Sequence, residues 1–190
     1  DQLLVSIAAG ISTRILESYL AEKIPVVRVM PNLPASVRQG VAALSVGQAA
    51  ANCHLETAEV IFDAVGTSIV VDEKQMDAVT GLSGSGPAFV FLFIEALTDA
   101  GVHVGLARPD AHQLAVQTVL GASQMLAQSD IHPAVLKGEV TTPAGTTATG
   151  LFELEQGRFR SLIVSAITAA TQRSAELADL TASDLPELDK

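Results

Sequence analysis

The sequence has little cysteine and few basic residues, and each shortage excludes a class of function. Its 190 residues include a single cysteine, Cys53, which cannot form an internal disulfide and is expected to be a buried, inert thiol. Eleven Lys and Arg residues against 21 Asp and Glu residues give a net charge of −10, and no basic cluster occurs. Because neutralisation of phosphates dominates nucleic-acid affinity, small molecules or proteins are the expected partners rather than nucleic acid.

Long apolar runs and metal-binding spacings are missing as well. The longest undiluted apolar stretch, Ala88 to Ile94, ends at Glu95, whereas crossing a bilayer takes about 20 apolar residues. The four histidines show no His-x-x-x-His or Cys-His spacing. No Arg-led apolar signal precedes a small-residue cleavage site. We therefore expect no membrane segment, no metal site and a cytoplasmic location.

The first 72 residues predict an open α/β sheet. Four short runs rich in Val and Ile, each bounded by Gly, Pro or Asn, are typical of buried strands. They lie at residues 3–7, 26–30, 41–46 and 67–71. Helix-like segments at residues 12–22 and 48–64 lie between them. Strands that alternate with helices in this way indicate an open α/β architecture.

From residue 73 onward the composition predicts an all-helical region. Strand-like runs disappear, and Ala, Leu, Gln and Thr recur at helical spacing. We expect Ser85 to cap the helix that begins at Gly86, Gly101 to end that helix in a left-handed conformation, and residues 181–190 to fray. The predicted helices span residues 75–80, 86–101, 109–128, 133–138, 146–156 and 159–180.

Two of these helices are apolar on more than one face. Within residues 88–97 only Glu95 is charged, and within residues 162–170 only Ser165 and Thr168 are polar. A helix that is apolar all round must be buried. An obligate interface between subunits is the economical explanation, and a central helix inside one monomer is the alternative.

Two loops place small and hydroxylated residues before predicted helices. Residues 80–87 read Thr-Gly-Leu-Ser-Gly-Ser-Gly-Pro, and such small residues let a ligand approach backbone N–H groups. Residues 141–147 read Thr-Thr-Pro-Ala-Gly-Thr-Thr, whose hydroxyls and N–H groups suit a carboxylate. For the first loop, a tight turn between helices is as good an explanation as a binding site. For the second loop, ordinary helix capping is as good an explanation as a binding site.

Two further segments follow predicted strands at what should be the carboxyl edge of the sheet. They are Ala8-Ala9-Gly10 and Met30-Pro31-Asn32. Open α/β folds bind ligands at this edge, and small residues there let a nicotinamide lie against the backbone. Loops shaped only by packing are the alternative.

These motifs occur in the same order and spacing in one known family. The matching segments are Ala8–Gly10, Met30–Asn32, Val79–Ala88, Asp99–Val102, Gly105–Leu106, Gln117–Thr118, His132–Pro133, Leu136–Lys137, Val140–Thr147 and Arg158–Arg160. Over about residues 3 to 175 the chain resembles pyrroline-5-carboxylate reductase.

The resemblance implies an α/β part followed by an all-α part. Residues 1–72 would be the remaining part of a Rossmann domain that binds NADPH or NADH, with an incomplete sheet. Residues 73–190 would form a helical domain for dimerisation and substrate binding. The implied reaction is hydride transfer to L-1-pyrroline-5-carboxylate, which gives L-proline. The implied assembly is a homodimer or a ring of dimers.

The resemblance also assigns roles to individual residues. The Thr147 hydroxyl would form a hydrogen bond with the ring nitrogen of the substrate, and the loop around Thr147 would hold the substrate carboxylate. Because no His or Lys stands out as a proton donor, hydride positioning is expected to carry catalysis. The implied substrate-binding residues are Ser83, Gly84, Ser85, Gly86, Thr142, Gly145, Thr146 and Thr147. The implied cofactor-binding residues are Ala8, Ala9, Gly10, Met30, Pro31 and Asn32.

Two departures from the family pattern bear on these expectations. Ala144 stands where the family usually has glycine, which matters only if that residue needs a positive φ. No Gly-x-Gly-x-x-Gly turn occurs in the 190 residues, so this stretch by itself is expected to leave a sheet edge and to bind NAD(P)H poorly.

Two alternatives remain open. The chain could be a dimerisation fragment that is inactive by itself. It could also belong to the 6-phosphogluconate or β-hydroxyacid type of dehydrogenase, which uses a catalytic lysine. Lys74 and Lys137 are the only lysines near the proposed loops, and neither lies in a motif that matches that type of dehydrogenase.

Overall fold

The structure is a computed structural model that describes residues 2–20 and 23–184. Four strands and two helices alternate in its first part. They are β1 (Leu4–Ser6), α1 (Thr13–Ser18), β2 (Val26–Met30), β3 (Gly40–Val46), α2 (Asn52–Asp63) and β4 (Gly66–Val70). The predicted strands are therefore confirmed to within one residue at each end. The helix predicted over residues 12–22 begins after Ser12, which caps it, and ends at Ser18, while residues 21 and 22 lie outside the described residues.

The four strands form one mixed sheet in the order β1-β2-β3-β4. The β1–β2 and β3–β4 pairs are parallel because α1 and α2 carry the chain back across the sheet. The β2–β3 pair is antiparallel, with Met30 opposite Ala43. The intervening residues, 31–39, hold only a 3₁₀ turn at Leu33–Val37 and are too few for a crossover helix.

The core of this sheet lies on its two central strands. Val27 and Val29 of β2 and Leu44 of β3 are fully buried and pack against Ala58 of α2. Central strands that are covered on both faces give nearly continuous Val and Ala runs, which is why the sequence pattern located them.

The rest of the described chain is helical. A 3₁₀ turn (Glu73–Gln75) leads into α3 (Met76–Val79) and then into a π-helical turn (Thr80–Gly84). The remaining helices are α4 (Gly86–His103), α5 (Arg108–Ala127), α6 (Pro133–Glu139), α7 (Thr146–Gln156) and α8 (Phe159–Asp184). The fold class, a Rossmann-type sheet followed by helices, is confirmed.

The chain divides into two compact units. Residues 1–87 and 165–190 form the first unit, which contains the sheet, and residues 88–164 form the second, which is helical. Residues 73–87 and the larger part of α8 thus pack with the sheet. The functional boundary at residue 72 stays a prediction.

Several local predictions were wrong. The helix that begins at Gly86 does not end at Gly101 but at His103, and the left-handed glycine is Gly105, with φ +104. Close packing favours glycine at residue 101 instead, because a Cβ there would lie 2.9 Å from the Ala111 Cβ. Residues 181–184 continue α8 rather than fray, while residues 185–190 lie outside the described residues. Cys53 is exposed, not buried, because it lies in the first turn of α2.

Candidate functional site

The glycine-rich segment, for which a tight turn between helices and a binding site were both expected, is helical from Thr80 to Gly84. Residues 80–84 form a π-helical turn, closed by a hydrogen bond from the Ser85 N–H to the Thr80 carbonyl at 2.9 Å. Ser85 itself has helical φ and ψ, so the prediction that it caps a new helix was wrong. Such π turns are frequent at functional sites. Glycine-rich composition is shared by turns and π turns, so the sequence could not distinguish them.

The segment after β2 is tied directly to this π turn. The Asn32 side chain accepts a hydrogen bond from the Val41 N–H at 2.9 Å and donates one to the Ser83 carbonyl at 3.1 Å. The Met30 side chain lies beside Gly84, where an added Cβ would be 2.8 Å from its Cε. The structure therefore brings Met30 and Asn32 together with Ser83 and Gly84.

The loop after β1 has a defined shape. The Ala8 N–H donates to the Ser6 hydroxyl at 3.3 Å, and both Ala8 and Ala9 are exposed. Gly10 has φ +75, and a Cβ on it would lie 3.2 Å from the Ala178 Cα of α8. Only glycine satisfies both the left-handed backbone and the close approach. The loop thus presents small exposed residues, as a ligand-facing loop must.

A cavity of about 480 Å³ lies within the first unit, between this loop, the π turn and α8. Its volume falls in the range of small-molecule sites. A hydrogen bond of 2.7 Å from the Ser174 hydroxyl to Asp77 fixes α8 against α3 beside it. The lining residues are Ala9, Gly10, Thr80, Ser85, Ala170, Arg173, Ser174 and Leu177.

The cavity joins predicted and unpredicted residues. Ala9, Gly10 and Ser85 are among the site residues predicted from the sequence. The α8 wall was missed, and no local pattern identifies it, because about 90 residues separate Thr80 from Ala170 along the chain. Arg173 is the one charged residue among the lining residues described, and it also pairs with Glu176 at 2.7 Å.

The threonine loop lies in the second unit and leads into α7. Its helix begins after Gly145, which has extended backbone and offers no side-chain cap. The first N–H groups of a helix have no partner within the helix and attract anions. Ala144 has φ +57, and at such a positive φ an alanine in place of the family's usual glycine is strained. Of the residues predicted here, Thr147 and Gly145 are half-buried and Thr142 and Thr146 are exposed.

Comparison with known proteins identifies the family. A family model described as pyrroline-5-carboxylate reductase dimerisation matches residues 73–177. A pyrroline-5-carboxylate reductase of Arabidopsis thaliana is 48% identical over 177 residues, covering 93% of this chain and 64% of that protein. The chain belongs to the pyrroline-5-carboxylate reductase family.

Solved structures of the pyrroline-5-carboxylate reductase family share this fold. The Coxiella burnetii enzyme superposes with a TM-score of 0.89 at 40% identity, over 92% of this chain and 65% of that one. The Plasmodium falciparum enzyme, solved with NADP bound, gives a TM-score of 0.86 at 36% identity, over 93% of this chain and 71% of that one. The chain spans just under two thirds of the length of the curated relatives it matches.

The helices of the family's dimerisation region expose large apolar side chains. On α4, Phe91 is 58% exposed and Leu92 is 64% exposed, and Thr98 is its one buried residue. The helical run Glu73–His103 contains an 18-residue window with a mean hydropathy of 1.3, so it is long and apolar enough to cross a membrane by length and composition alone. Helices that subunits bury between them have the same composition, and the family model places this run in a dimerisation region.

The part of the chain that the structure describes contains no group of three or more His, Cys, Asp or Glu side chains that could hold a metal ion.

Proposed function

We propose that the protein containing these residues reduces L-1-pyrroline-5-carboxylate to L-proline with NADPH or NADH. The observation that carries this proposal is the cavity lined by Ala9 and Gly10, which follow a parallel strand at its carboxyl end, and by Ser85, which closes the π turn. Pyrroline-5-carboxylate reductases at 48% identity, and a relative solved with NADP, support it.

The loop of residues 8–10 fits a nicotinamide cofactor. Ala8 and Ala9 are small and exposed, so the ring can approach the backbone without a side chain between them. When bound, NAD(P)H supplies the hydride that passes to the carbon of the substrate C=N bond. We assign cofactor contacts to Ala8, Ala9 and Gly10, and to Met30, Pro31 and Asn32. The Asn32 side chain also links two backbone segments, through its hydrogen bonds to Val41 and Ser83.

We assign the substrate to the threonine loop and to residues 83–86. The N–H groups at the start of α7, together with Thr142, suit the substrate carboxylate, because the helix N-terminus carries partial positive charge. The Thr147 hydroxyl would form a hydrogen bond with the ring nitrogen of the substrate. A protonated imine accepts hydride readily, so the chain's task is to orient the ring and exclude water rather than to supply a strong acid.

We also propose that the protein works as a homodimer, with rings of dimers as a further level of assembly, and that it is cytoplasmic. The exposed side chains of α4 and the family's dimerisation region support the dimer.

A series of variants at Thr147 tests the substrate assignment. Thr147→Val removes the hydroxyl and keeps the shape, so kcat/KM for pyrroline-5-carboxylate should fall about tenfold, the value of one lost hydrogen bond. Thr147→Ser keeps the hydroxyl and should stay close to wild type. Full turnover by Thr147→Val in steady-state kinetics would remove Thr147 from the proposal.

A further inference from the structure

A half-buried carboxylate far along the chain holds the start of α1. Glu73 accepts a hydrogen bond from the Thr13 N–H at 2.6 Å and a second from the Thr13 hydroxyl at 2.6 Å. The Arg28 guanidinium lies 3.5 Å from the same carboxylate. Thr13 is 4% exposed and Arg28 is 7% exposed. Two short bonds to one residue, supported by a buried cation, fix the position of that residue closely.

These bonds complete the attachment of the loop that faces the cavity. Residues 7–12 connect β1 to α1; the Ser6 hydroxyl accepts a hydrogen bond from the Ala8 N–H, and Gly10 lies close to the backbone of Ala178. Glu73 holds its far end, at the first residue of α1. Without Glu73 the loop would keep its attachment to β1 and the local Ser12 cap, but it would lose the contact that ties its exit to the run beginning at residue 73.

Glu73 also begins the helical run that contains the π turn. From Glu73 the chain continues through α3 to Ser83 and Ser85 with uninterrupted helical structure. The side chain of Glu73 therefore connects the loop of residues 8–10 to the segment that forms the opposite wall of the cavity. The two walls are thereby linked within one compact unit, although about 70 residues separate them along the chain.

We propose that Glu73 is a positioning residue for hydride transfer: through Thr13 it sets the distance between the cofactor loop and the substrate-facing segment. This inference rests on the proposed function. Hydride transfer needs the two reacting carbons in close, aligned contact, and a misplacement of about 1 Å can cost about 100-fold in rate. A residue that sets this distance affects the chemical step more than the binding of either ligand.

The test compares variants of the full-length protein in steady-state kinetics with NADPH and pyrroline-5-carboxylate. Glu73→Gln keeps the size and one acceptor oxygen but loses the charge facing Arg28. We expect its kcat to fall at least about tenfold, with both KM values within about threefold of wild type. The kinetic isotope effect with NADPH deuterated at the transferred position should rise, because hydride transfer becomes more rate-limiting.

Thr13 provides an independent second arm. Thr13→Val removes one of the two bonds and should lower kcat, whereas Thr13→Ser keeps both bonds and should restore it. The double variant Glu73→Gln with Thr13→Val should be no slower than Glu73→Gln within about twofold, since both changes act on one contact. If the Glu73→Gln variant does not fold, Thr13→Val and Thr13→Ser test the proposal by themselves.

Two controls separate positioning from general stability. Val27→Ala weakens the core of the same unit, and Ser68→Ala breaks a 2.7 Å bond to Asp63 on the surface of that unit. Both should leave kcat and the isotope effect unchanged. The inference is overturned if Glu73→Gln and Thr13→Val keep wild-type kcat, or if Val27→Ala lowers kcat as much at an equal loss of Tm. A wild-type protein that does not reduce pyrroline-5-carboxylate overturns the proposed function and this inference with it.

Discussion

Ala144 shows how one residue can depart from the family pattern at a measurable cost. It has φ +57, in the left-handed region, where a Cβ lies too close to the following carbonyl oxygen. The resemblance to the family implied that glycine is usual at this position, but the positive φ that makes alanine costly there is visible only in the structure. Ala144 lies between Thr142 and Gly145, so its strain acts directly on the proposed substrate loop.

We expect Ala144→Gly to raise the free energy of unfolding by about 0.5–1 kcal/mol, because relief of the left-handed strain exceeds the entropy that glycine adds to the unfolded chain. Chemical denaturation measures this change. Ala148→Gly is the matched control, since Ala148 lies inside α7 and loss of its helix propensity should lower stability by about 1 kcal/mol. If both variants are destabilised, residue 144 does not carry the strain.

At the scale of elements, prediction succeeded where the determinants are local. The strands were found because short runs rich in Val and Ile, bounded by Gly, Pro or Asn, are a local signal of a strand at the edge and at the centre of this sheet. The π turn and the α8 wall of the cavity were not found. Gly81 illustrates the reason: glycine is needed there because α8 approaches it, and that contact joins residues about 90 positions apart.

Two glycines of the π turn provide a matched pair for testing this packing. A Cβ at Gly81 would lie 2.9 Å from the Thr171 nitrogen and 3.0 Å from the Ile167 carbonyl oxygen, both in backbone that cannot yield locally. A Cβ at Gly84 would meet the flexible end of Met30 at 2.8 Å, with nothing else nearer than 3.7 Å.

Gly81→Ala should therefore cost about 1–3 kcal/mol of unfolding free energy, through overpacking against α8. Gly84→Ala should change it by less than about 1 kcal/mol, because the Met30 side chain can rotate away. Thermal and chemical denaturation of the two variants supply the comparison. Equal stability of both would show that α8 does not pack against the π turn as described.

At the scale of the whole molecule, the apolar surface of α4 requires a partner. The sequence predicted a subunit interface because residues 88–97 carry one charge, and the structure leaves Phe91 and Leu92 more than half exposed. Exposed apolar patches of this kind mark association sites. The number of subunits in the assembly depends on surfaces of more than one chain. Neither the sequence pattern nor the structure of a single chain therefore determines it.

Leu92→Lys should convert the dimer to monomers or raise its dissociation constant about tenfold or more, because it buries an unpaired charge in the interface. Light scattering coupled to size-exclusion chromatography measures the mass. Gln48→Lys makes the same change of charge at an exposed loop position and should leave the mass unchanged. A monomeric wild-type protein at micromolar concentration would contradict the interface.

The reduction of L-1-pyrroline-5-carboxylate can be measured directly. With the full-length protein, one set of assays measures the oxidation of NADPH or NADH by L-1-pyrroline-5-carboxylate, and a second set measures the reduction of the oxidised cofactors by a β-hydroxyacid. We expect turnover of pyrroline-5-carboxylate, with L-proline formed in equal amount to the cofactor oxidised, and none of the β-hydroxyacid. Turnover of the β-hydroxyacid alone, or of neither compound, would contradict the proposed function.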